Sequence, residues 1–138
     1  MVWVSAVRFL LDTHVALWWL DGDIRIPQHV GNAIARPDTE SFVSAATIWE
    51  ISIKSKTGKL PEAADVVETM PGCFTDVGFL LLGINAAHAK HAGSLPLHHR
   101  DPFDRMLVAQ ATIESLTLIS GDPVLSLYDV DTGWDAIR

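Results

Sequence analysis

The stretch VRFLLDTHVALWWL, residues 7–20, decides the fold class of this chain. Its first five residues form a short apolar run of the kind that becomes a buried strand, and residues 13–20 have the composition of a helix. A strand that passes directly into a helix indicates an α/β chain. Asp12 stands at the junction, immediately after the predicted strand.

The alternation of strands and helices continues along the sequence. Glycine and proline are scattered singly between short elements, and no internal repeat or linker is visible. Further strands are predicted over residues 41–44, 79–84 and 116–120, and helices with their capping residues over 27–36, 44–57, 61–71, 85–93 and 101–114. Strands that alternate with helices predict a mostly parallel sheet that helices cover on both faces.

Length and composition indicate one domain, residues 1–138, whose hydrophobic share of 49% is enough for a sizeable core. The single cysteine, Cys73, cannot form a disulfide within the chain, which fits a reducing cytosol. The longest apolar run, residues 77–84, is far shorter than the roughly 20 residues of a membrane helix. Residues 1–11 carry no secretory pattern. We therefore expect a cytoplasmic protein without a membrane segment.

The charge balance is acidic, since 17 aspartate and glutamate residues against 10 lysine and arginine residues give a formal charge of -7. Such a charge repels polyanions at long range, which argues against a nucleic-acid partner. Net charge does not say where the charges lie, however, and carboxylates gathered around a divalent cation would account for several of them. The positions of the acids therefore matter more than their number.

Two acids are predicted at the same edge of the sheet. Asp12 follows the first strand, and Asp122 comes two residues after the last one. Ligands of open parallel sheets bind beyond the carboxyl ends of the strands, so both side chains are candidates for a site. Each also has a purely structural explanation. Asp12 could cap the helix that begins at Thr13, and Asp122 could form a turn with Pro123.

Three more acids lie at helical positions. Asp101 and Asp104 stand at the start of the predicted helix 101–114, where a capping pair would account for both. Glu50 lies inside a helix, on a stripe that is otherwise largely apolar. An ordinary ion pair with Lys54, one turn later on a solvated face, is the structural explanation for Glu50. These explanations do not predict that the acids occur together at one side of the sheet.

The functional interpretation is that the acids converge on a divalent cation. Carboxylate oxygens suit Mg²⁺ and Mn²⁺, and Mg²⁺ is held by a few carboxylates while it keeps several waters. Such an ion activates water and stabilises the charge that develops on a phosphodiester. The predicted chemistry is that of a nuclease, and the residues that carry it are Asp12, Glu50, Asp104 and Asp122.

Four segments of the chain resemble the successive motifs of PIN-domain proteins, in the same order and over nearly the whole sequence. They are FLLDTH at residues 9–14, the stretch 44–51 that ends in WEI, HRDPFDRMLVAQA at 99–111 and LISGD at 118–122. The third segment is the most distinctive. Within the family, it resembles the VapC-type toxins of bacterial toxin–antitoxin pairs.

The resemblance implies a PIN-like α/β fold, with a short, mostly parallel central sheet of about four or five strands flanked by helices on both faces. It also implies a Mg²⁺- or Mn²⁺-dependent endoribonuclease that uses these four acids, is usually a homodimer and is silenced by a cognate antitoxin. Asp101 is an expected outer participant in the site. Ser120 stands where the family commonly has threonine, and because the hydroxyl is kept we expect its supporting role to survive.

The resemblance assigns a role to each acid. Asp12 and Asp104 are the expected direct metal ligands. Glu50 either binds the ion or orients the attacking water as a general base. Asp122 completes the cluster, directly or through a water on the metal.

Basic residues near the acids are candidates for contact with RNA. Arg100 and Arg105 flank the acidic pair of the third segment, and each either touches a phosphate or lies in solvent at the start of the helix. Lys54, Lys56 and Lys59 form the basic run of the chain. A substrate backbone could lie along this run, with a solvated helix end as the alternative.

An antitoxin needs an apolar surface to bind. The chain combines its acidic charge with a mean hydropathy of +0.23, and its tryptophans belong either to the core or to such a surface. We expect a partner helix to lay an apolar face in a groove and to project a basic side chain towards Asp12 and Asp104.

Other functions fit the residues less well. An aspartate-dependent phosphatase needs a second aspartate two residues after Asp12, where His14 stands, and a receiver domain needs a lysine later than Lys90. The histidines at 88, 91, 98 and 99 loosely resemble a zinc site, but no cysteine or carboxylate falls at a matching spacing. A catalytically silent PIN scaffold that binds RNA or an antitoxin remains the main alternative, and the presence of all four acids disfavours it.

Overall fold

The computed structural model describes residues 7–99 and 101–134, and its centre is a parallel sheet of four strands. The strands lie in the order β3-β2-β1-β4, and each neighbouring pair is parallel. The registers bring Leu11 of β1 opposite Ile119 of β4, and Ser44 of β2 opposite Leu82 of β3. The strands are β1 (Val7–Leu11), β2 (Thr39–Ser44), β3 (Leu80–Leu82) and β4 (Thr117–Ile119).

Seven α-helices connect and cover the described strands. They are α1 (Thr13–Asp21), α2 (Gln28–Ala35), α3 (Ala45–Lys56), α4 (Ala64–Thr69), α5 (Gly72–Asp76), α6 (Ala86–Ser94) and α7 (Pro102–Glu114), with short 3-10 helices at Pro61–Ala63 and Pro123–Leu127. None of these helices is both long and apolar enough to cross a membrane.

The alternating side chains of β1 show that both faces of the sheet are covered. Phe9 and Leu11 belong to a core cluster with residues of α1, α2 and α5. Leu10, between them, packs in a second cluster with Leu107 of α7 and Leu118 of β4. Since successive strand residues point to opposite faces, the part of a strand that is buried on both sides must be apolar, as Phe9, Leu10 and Leu11 are. Val7 and Arg8, at the start of β1, are exposed. The predicted α/β architecture is confirmed.

Two predicted elements differ from the observed ones. The helix expected over 61–71 is instead the 3-10 helix Pro61–Ala63 followed by α4, and a further helix, α5, comes after it. α4 ends at Thr69 because Met70 takes the extended conformation that a following proline favours. Pro71 and Gly72 therefore begin α5 and do not simply end a helix. The strand expected over 79–84 shortens to β3, which pairs with β2 at the edge of the described sheet.

Candidate active site

Asp12 lies where β1 passes into α1, at the carboxyl edge of the sheet. Its Oδ1 accepts a hydrogen bond of 2.8 Å from the N–H of Val15 and so caps α1, and its own N–H donates to the carbonyl of Ile119 at 3.0 Å. The residue is buried. Asp12 is thus fixed by both central strands, and the capping explanation is correct for one of its oxygens.

Glu50 of α3 is only 3% exposed, which is exceptional for a carboxylate. The Thr13 hydroxyl donates a hydrogen bond of 2.5 Å to Oε1, and Nζ of Lys54 lies 2.5 Å from Oε2. The predicted ion pair between Glu50 and Lys54 is therefore present. The prediction that Glu50 lies on a solvated face is wrong, because its side chain is buried. Because Thr13 follows Asp12 directly, its hydrogen bond to Glu50 connects α3 to the residue next to Asp12.

The two aspartates at the start of α7 make different contacts. Oδ1 of Asp101 accepts from the N–H of Phe103 at 2.8 Å, and Oδ2 accepts from Lys54 at 2.8 Å. Asp104 does not complete a capping pair, because its Oδ2 instead lies 3.1 Å from Nε2 of His99. Capping accounts for Asp101 and leaves Asp104 directed at the site.

Asp122 begins the 3-10 helix after β4. Its Oδ1 accepts from the N–H of Val124 at 3.0 Å, and its Oδ2 lies 3.0 Å from Nε2 of His99. The Ser120 hydroxyl accepts from the N–H of Asp122 at 3.1 Å and also hydrogen-bonds the side chain of Asp12. The hydroxyl of Ser120 therefore connects Asp12 and Asp122.

In Asp101 and Asp122, Oδ1 caps a helix while Oδ2 meets a charged or titratable side chain. The cap holds the carboxylate in one rotamer and so orients its second oxygen. Each of these two aspartates therefore both caps a helix and presents its second oxygen to a neighbouring side chain.

The electrostatics of Asp104 show that the acids are close. Its pKa is raised to about 7, mainly by burial and in addition by the charges of Asp101, Glu50 and Asp12, while His99 acts in the opposite direction. Burial also raises the pKa of Asp12, with a smaller contribution from Glu50, against the hydrogen bonds from Ser120 and Val15. Repulsion of this kind is the signature of carboxylates that share a site.

Lys54 compensates part of this charge. Burial alone would lower its pKa, but the hydrogen bonds to Asp101 and Glu50 outweigh burial and raise it. Burial likewise opposes ionisation of Asp101, yet the hydrogen bonds from Lys54 and from the Phe103 N–H lower the pKa of that carboxyl. With two carboxylates bound, Lys54 is placed to stabilise the acids, and its contact with a substrate stays a prediction.

The structure describes one of the two predicted arginines. Arg100 falls outside the described residues. Arg105 lines an apolar cavity of about 170 Å³ with Trp49, Ile84 and Met106, and its buried Nε has no hydrogen-bond partner among the residues that the structure describes. Arg105 is therefore on a different surface from the cleft described next.

A cleft of about 530 Å³ opens beside the acids. It is lined by Asp12, Asp122, His14, Trp18 and Trp134 among others. Gly121 lets Trp134 approach this turn, because a Cβ at that position would lie 3.0 Å from the indole ring. The cleft gives a ligand of nucleotide size access to two of the acids.

His99 is the site residue that sequence reasoning missed. Nε2 of His99 and one carboxylate oxygen each from Asp104 and Asp122 all lie within 4.8 Å of one another. Spacing in the sequence does not reveal this group, because the fold supplies both acids from elements that follow the His99 loop. The donors are close enough to surround one cation, and the two carboxylate oxygens are the ligand type that Mg²⁺ and Mn²⁺ prefer.

The PIN-domain family model matches residues 9–131 of the chain. The chain belongs to the PIN-domain family. This PIN domain is similar in fold to the DNA-bound VapBC complex of Salmonella typhimurium, with 17% identity, coverage of 91% of this chain and 96% of that chain, and a TM-score of 0.63. It is also similar to VapBC2 of Rickettsia felis bound to a promoter fragment, with 12% identity, the same coverage and a TM-score of 0.58. No curated protein sequence matches it.

Proposed function

We propose that this PIN domain is a Mg²⁺- or Mn²⁺-dependent endoribonuclease and the toxin of a toxin–antitoxin pair. The observation that carries the proposal is the convergence of the acids, since one carboxylate oxygen each of Asp104 and Asp122 lies within 4.8 Å of the other and of Nε2 of His99. The charges of Asp101, Glu50 and Asp12 also help to raise the pKa of Asp104 to about 7. Carboxylates kept together against their repulsion are what a cation site requires. PIN-domain proteins are generally nucleases, which supports the same reaction class.

Asp12 and Asp104 are the residues that would hold the cation, with Asp122 completing the set. A divalent cation bound there would supply positive charge to the phosphodiester and lower the pKa of a water. Ser120 keeps Asp12 and Asp122 in register through its hydroxyl. The capping bonds to Val15 and Val124 hold the same two carboxylates in one orientation.

Glu50 is the residue best placed to act as a base on the attacking water. Thr13 and Lys54 each hold one of its oxygens, so the carboxylate cannot rotate. A carboxylate held in this orientation can accept a proton from a water beside it. Asp101 contributes through Lys54 and has no direct part in the reaction.

The RNA strand would reach the acids through the cleft beside Asp12 and Asp122. His14, Trp18 and Trp134 line this cleft and offer polar and aromatic contact to nucleotides. The acidic edge itself repels phosphate, so RNA binding should depend on the cation as strongly as cleavage does.

The toxin role rests on the two VapBC complexes whose folds this domain shares. An exposed apolar surface supports a protein partner, because Trp49 is 59% exposed and stacks edge-on against Phe103 at 5.0 Å. We propose that a cognate antitoxin covers such a surface, and that the domain acts as a homodimer in the cytoplasm.

Cleavage of a single-stranded RNA oligonucleotide tests the proposed activity. We expect internal cuts in Mg²⁺ or Mn²⁺, none in excess EDTA, and recovery when excess cation is restored. A DNA oligonucleotide of the same sequence should remain intact. Cleavage that persists in EDTA would exclude the metal-dependent mechanism, and cation binding without any cleavage would favour the silent scaffold.

A further inference from the structure

His99 places one ring nitrogen between two acids of the proposed metal site. Its Nε2 lies 3.1 Å from Oδ2 of Asp104 and 3.0 Å from Oδ2 of Asp122. Both distances are those of hydrogen bonds, and the nitrogen is nearly equidistant from the two oxygens. The question is whether this nitrogen carries a proton or a free lone pair.

The other ring nitrogen answers this question. Nδ1 of His99 accepts a hydrogen bond of 3.2 Å from the backbone N–H of Asp101. An accepting Nδ1 has no proton, so the neutral ring carries its proton on Nε2. Histidines that bind metal show the reverse arrangement, because they donate their second ring N–H to an acceptor. His99 is therefore arranged as a donor to Asp104 and Asp122.

The backbone of His99 is held in place by contacts that do not involve its ring. Its N–H donates to the Tyr128 hydroxyl at 2.8 Å, and that hydroxyl donates to the carbonyl of Pro96 at 2.7 Å. The imidazole itself is 20% exposed. Rotation about its side-chain bonds can take the ring away from the acids without moving the loop.

We propose that His99 is a positioning residue that competes with the divalent cation for Asp104 and Asp122. A cation between the two Oδ2 atoms would occupy the space that the Nε2–H fills, so the two cannot bind there together. The Nε2–H of the imidazole holds the two acids together until a cation takes its place. This inference rests on the proposed function only in placing the cation at these acids.

Two substitutions of His99 separate the acceptor role of Nδ1 from the donor role of Nε2. His99→Asn offers an oxygen near the Nδ1 position for the Asp101 N–H but has no donor at the Nε2 position. His99→Gln can place an amide N–H near Nε2. His98→Asn is the matched control, because His98 is exposed and contacts the Tyr128 ring edge-on at 5.0 Å.

Mn²⁺ titration of the full chain, followed by the loss of the free-ion electron paramagnetic resonance signal, measures the competition. We expect His99→Asn to bind Mn²⁺ about tenfold more tightly than wild type, or about 1.4 kcal/mol. His99→Gln and His98→Asn should remain within about twofold of wild type. Weaker binding by His99→Asn would show that His99 supports or ligates the cation, and unchanged or undetectable binding would also overturn the proposal.

The tautomer provides a readout that is independent of affinity. In ¹⁵N NMR spectra, His99 should be the Nε2–H tautomer without cation and should stay so when Mg²⁺ is added, with its Nε2 proton exchanging faster. Conversion to the Nδ1–H tautomer on adding Mg²⁺ would identify His99 as a ligand and overturn the competition. Neither measurement requires RNA cleavage, so an inactive but metal-binding protein would contradict the proposed function alone.

Discussion

The Thr13 hydroxyl donates a hydrogen bond of 2.5 Å to Oε1 of Glu50, and both residues are buried. The contact joins the first turn of α1 to the middle of α3. It gives a buried carboxylate a partner that α3 cannot supply, and it does so one residue from Asp12. The position of Glu50 relative to the other acids therefore depends on this bond.

Thr13→Val should lower both stability and activity, because valine keeps the shape of threonine and removes the donor. A hydrogen bond to a charged group contributes about 1.5–3 kcal/mol, and we expect the free energy of unfolding in urea to fall by about that amount. Thr112→Val, at an exposed position of α7, should change it by less than about 0.5 kcal/mol. Equal effects of the two substitutions would show that the Thr13 contact contributes nothing specific.

Lys54→Met tests whether Lys54 compensates the acids or contacts RNA. Because Lys54 is partly exposed, we expect its loss to cost about 1–3 kcal/mol of unfolding free energy, less than breaking a fully buried pair. The turnover rate should fall while KM changes little. Lys56→Met, at an exposed position of the same helix, is the control. A higher KM with unchanged stability would instead support a substrate contact.

The pKa of Asp104 predicts how stability depends on pH in metal-free buffer. The folded state holds the Asp104 proton up to about pH 7, whereas the unfolded state releases it near 3.8. The unfolded state therefore binds fewer protons between these values, and the free energy of unfolding falls as pH rises from about 4 to about 7. Each unit of pKa difference corresponds to about 1.4 kcal/mol.

Asp104→Asn should remove this part of the pH dependence and melt higher than wild type above pH 7 without metal. The asparagine loses a favourable interaction with the helix dipole of about 0.3–1 kcal/mol, which is smaller than the relief of repulsion. Added Mn²⁺ should stabilise the variant less than wild type. Melting curves at pH 5 and pH 8 check this, and a variant less stable at both values, with an equal gain from Mn²⁺, would make Asp104 a structural residue.

Much of the fold follows from local sequence. The apolar run of β1, the cap at Ser44 and the Asp101–Pro102 start of α7 predict their elements closely, because strand burial and helix capping act over a few residues. The end of α4 before Met70 follows from the extended conformation that Pro71 favours in the residue before it. A pattern of apolar residues does not predict this end.

The candidate site is less local. Asp12, Glu50, Asp104 and Asp122 can be named from element ends and from the family resemblance, but their partners depend on distances across the sheet. The loop of His99, which lies close to Asp104 and Asp122, is held by Tyr128, 29 residues later. No spacing in the sequence encodes that contact.

Expression in bacteria tests the toxin role. Wild-type protein alone should arrest growth, and co-expression of the product of the neighbouring gene should relieve the arrest. Asp12→Asn should be harmless while accumulating to the same level as wild type, which separates toxicity from misfolding. Normal growth with active wild-type protein would contradict the toxin assignment and leave the nuclease assignment standing.

RNA cleavage by matched variants tests the central claim most directly. Asp104→Asn and Asp38→Asn make the same chemical change, but Asp38 is exposed and precedes β2, at the amino end of the strands. With single-stranded RNA and Mn²⁺, and with folding checked by circular dichroism, we predict full cleavage by Asp38→Asn and at least about a hundredfold loss in Asp104→Asn, or about 2.7 kcal/mol of transition-state stabilisation. Full cleavage by folded Asp104→Asn would contradict the account.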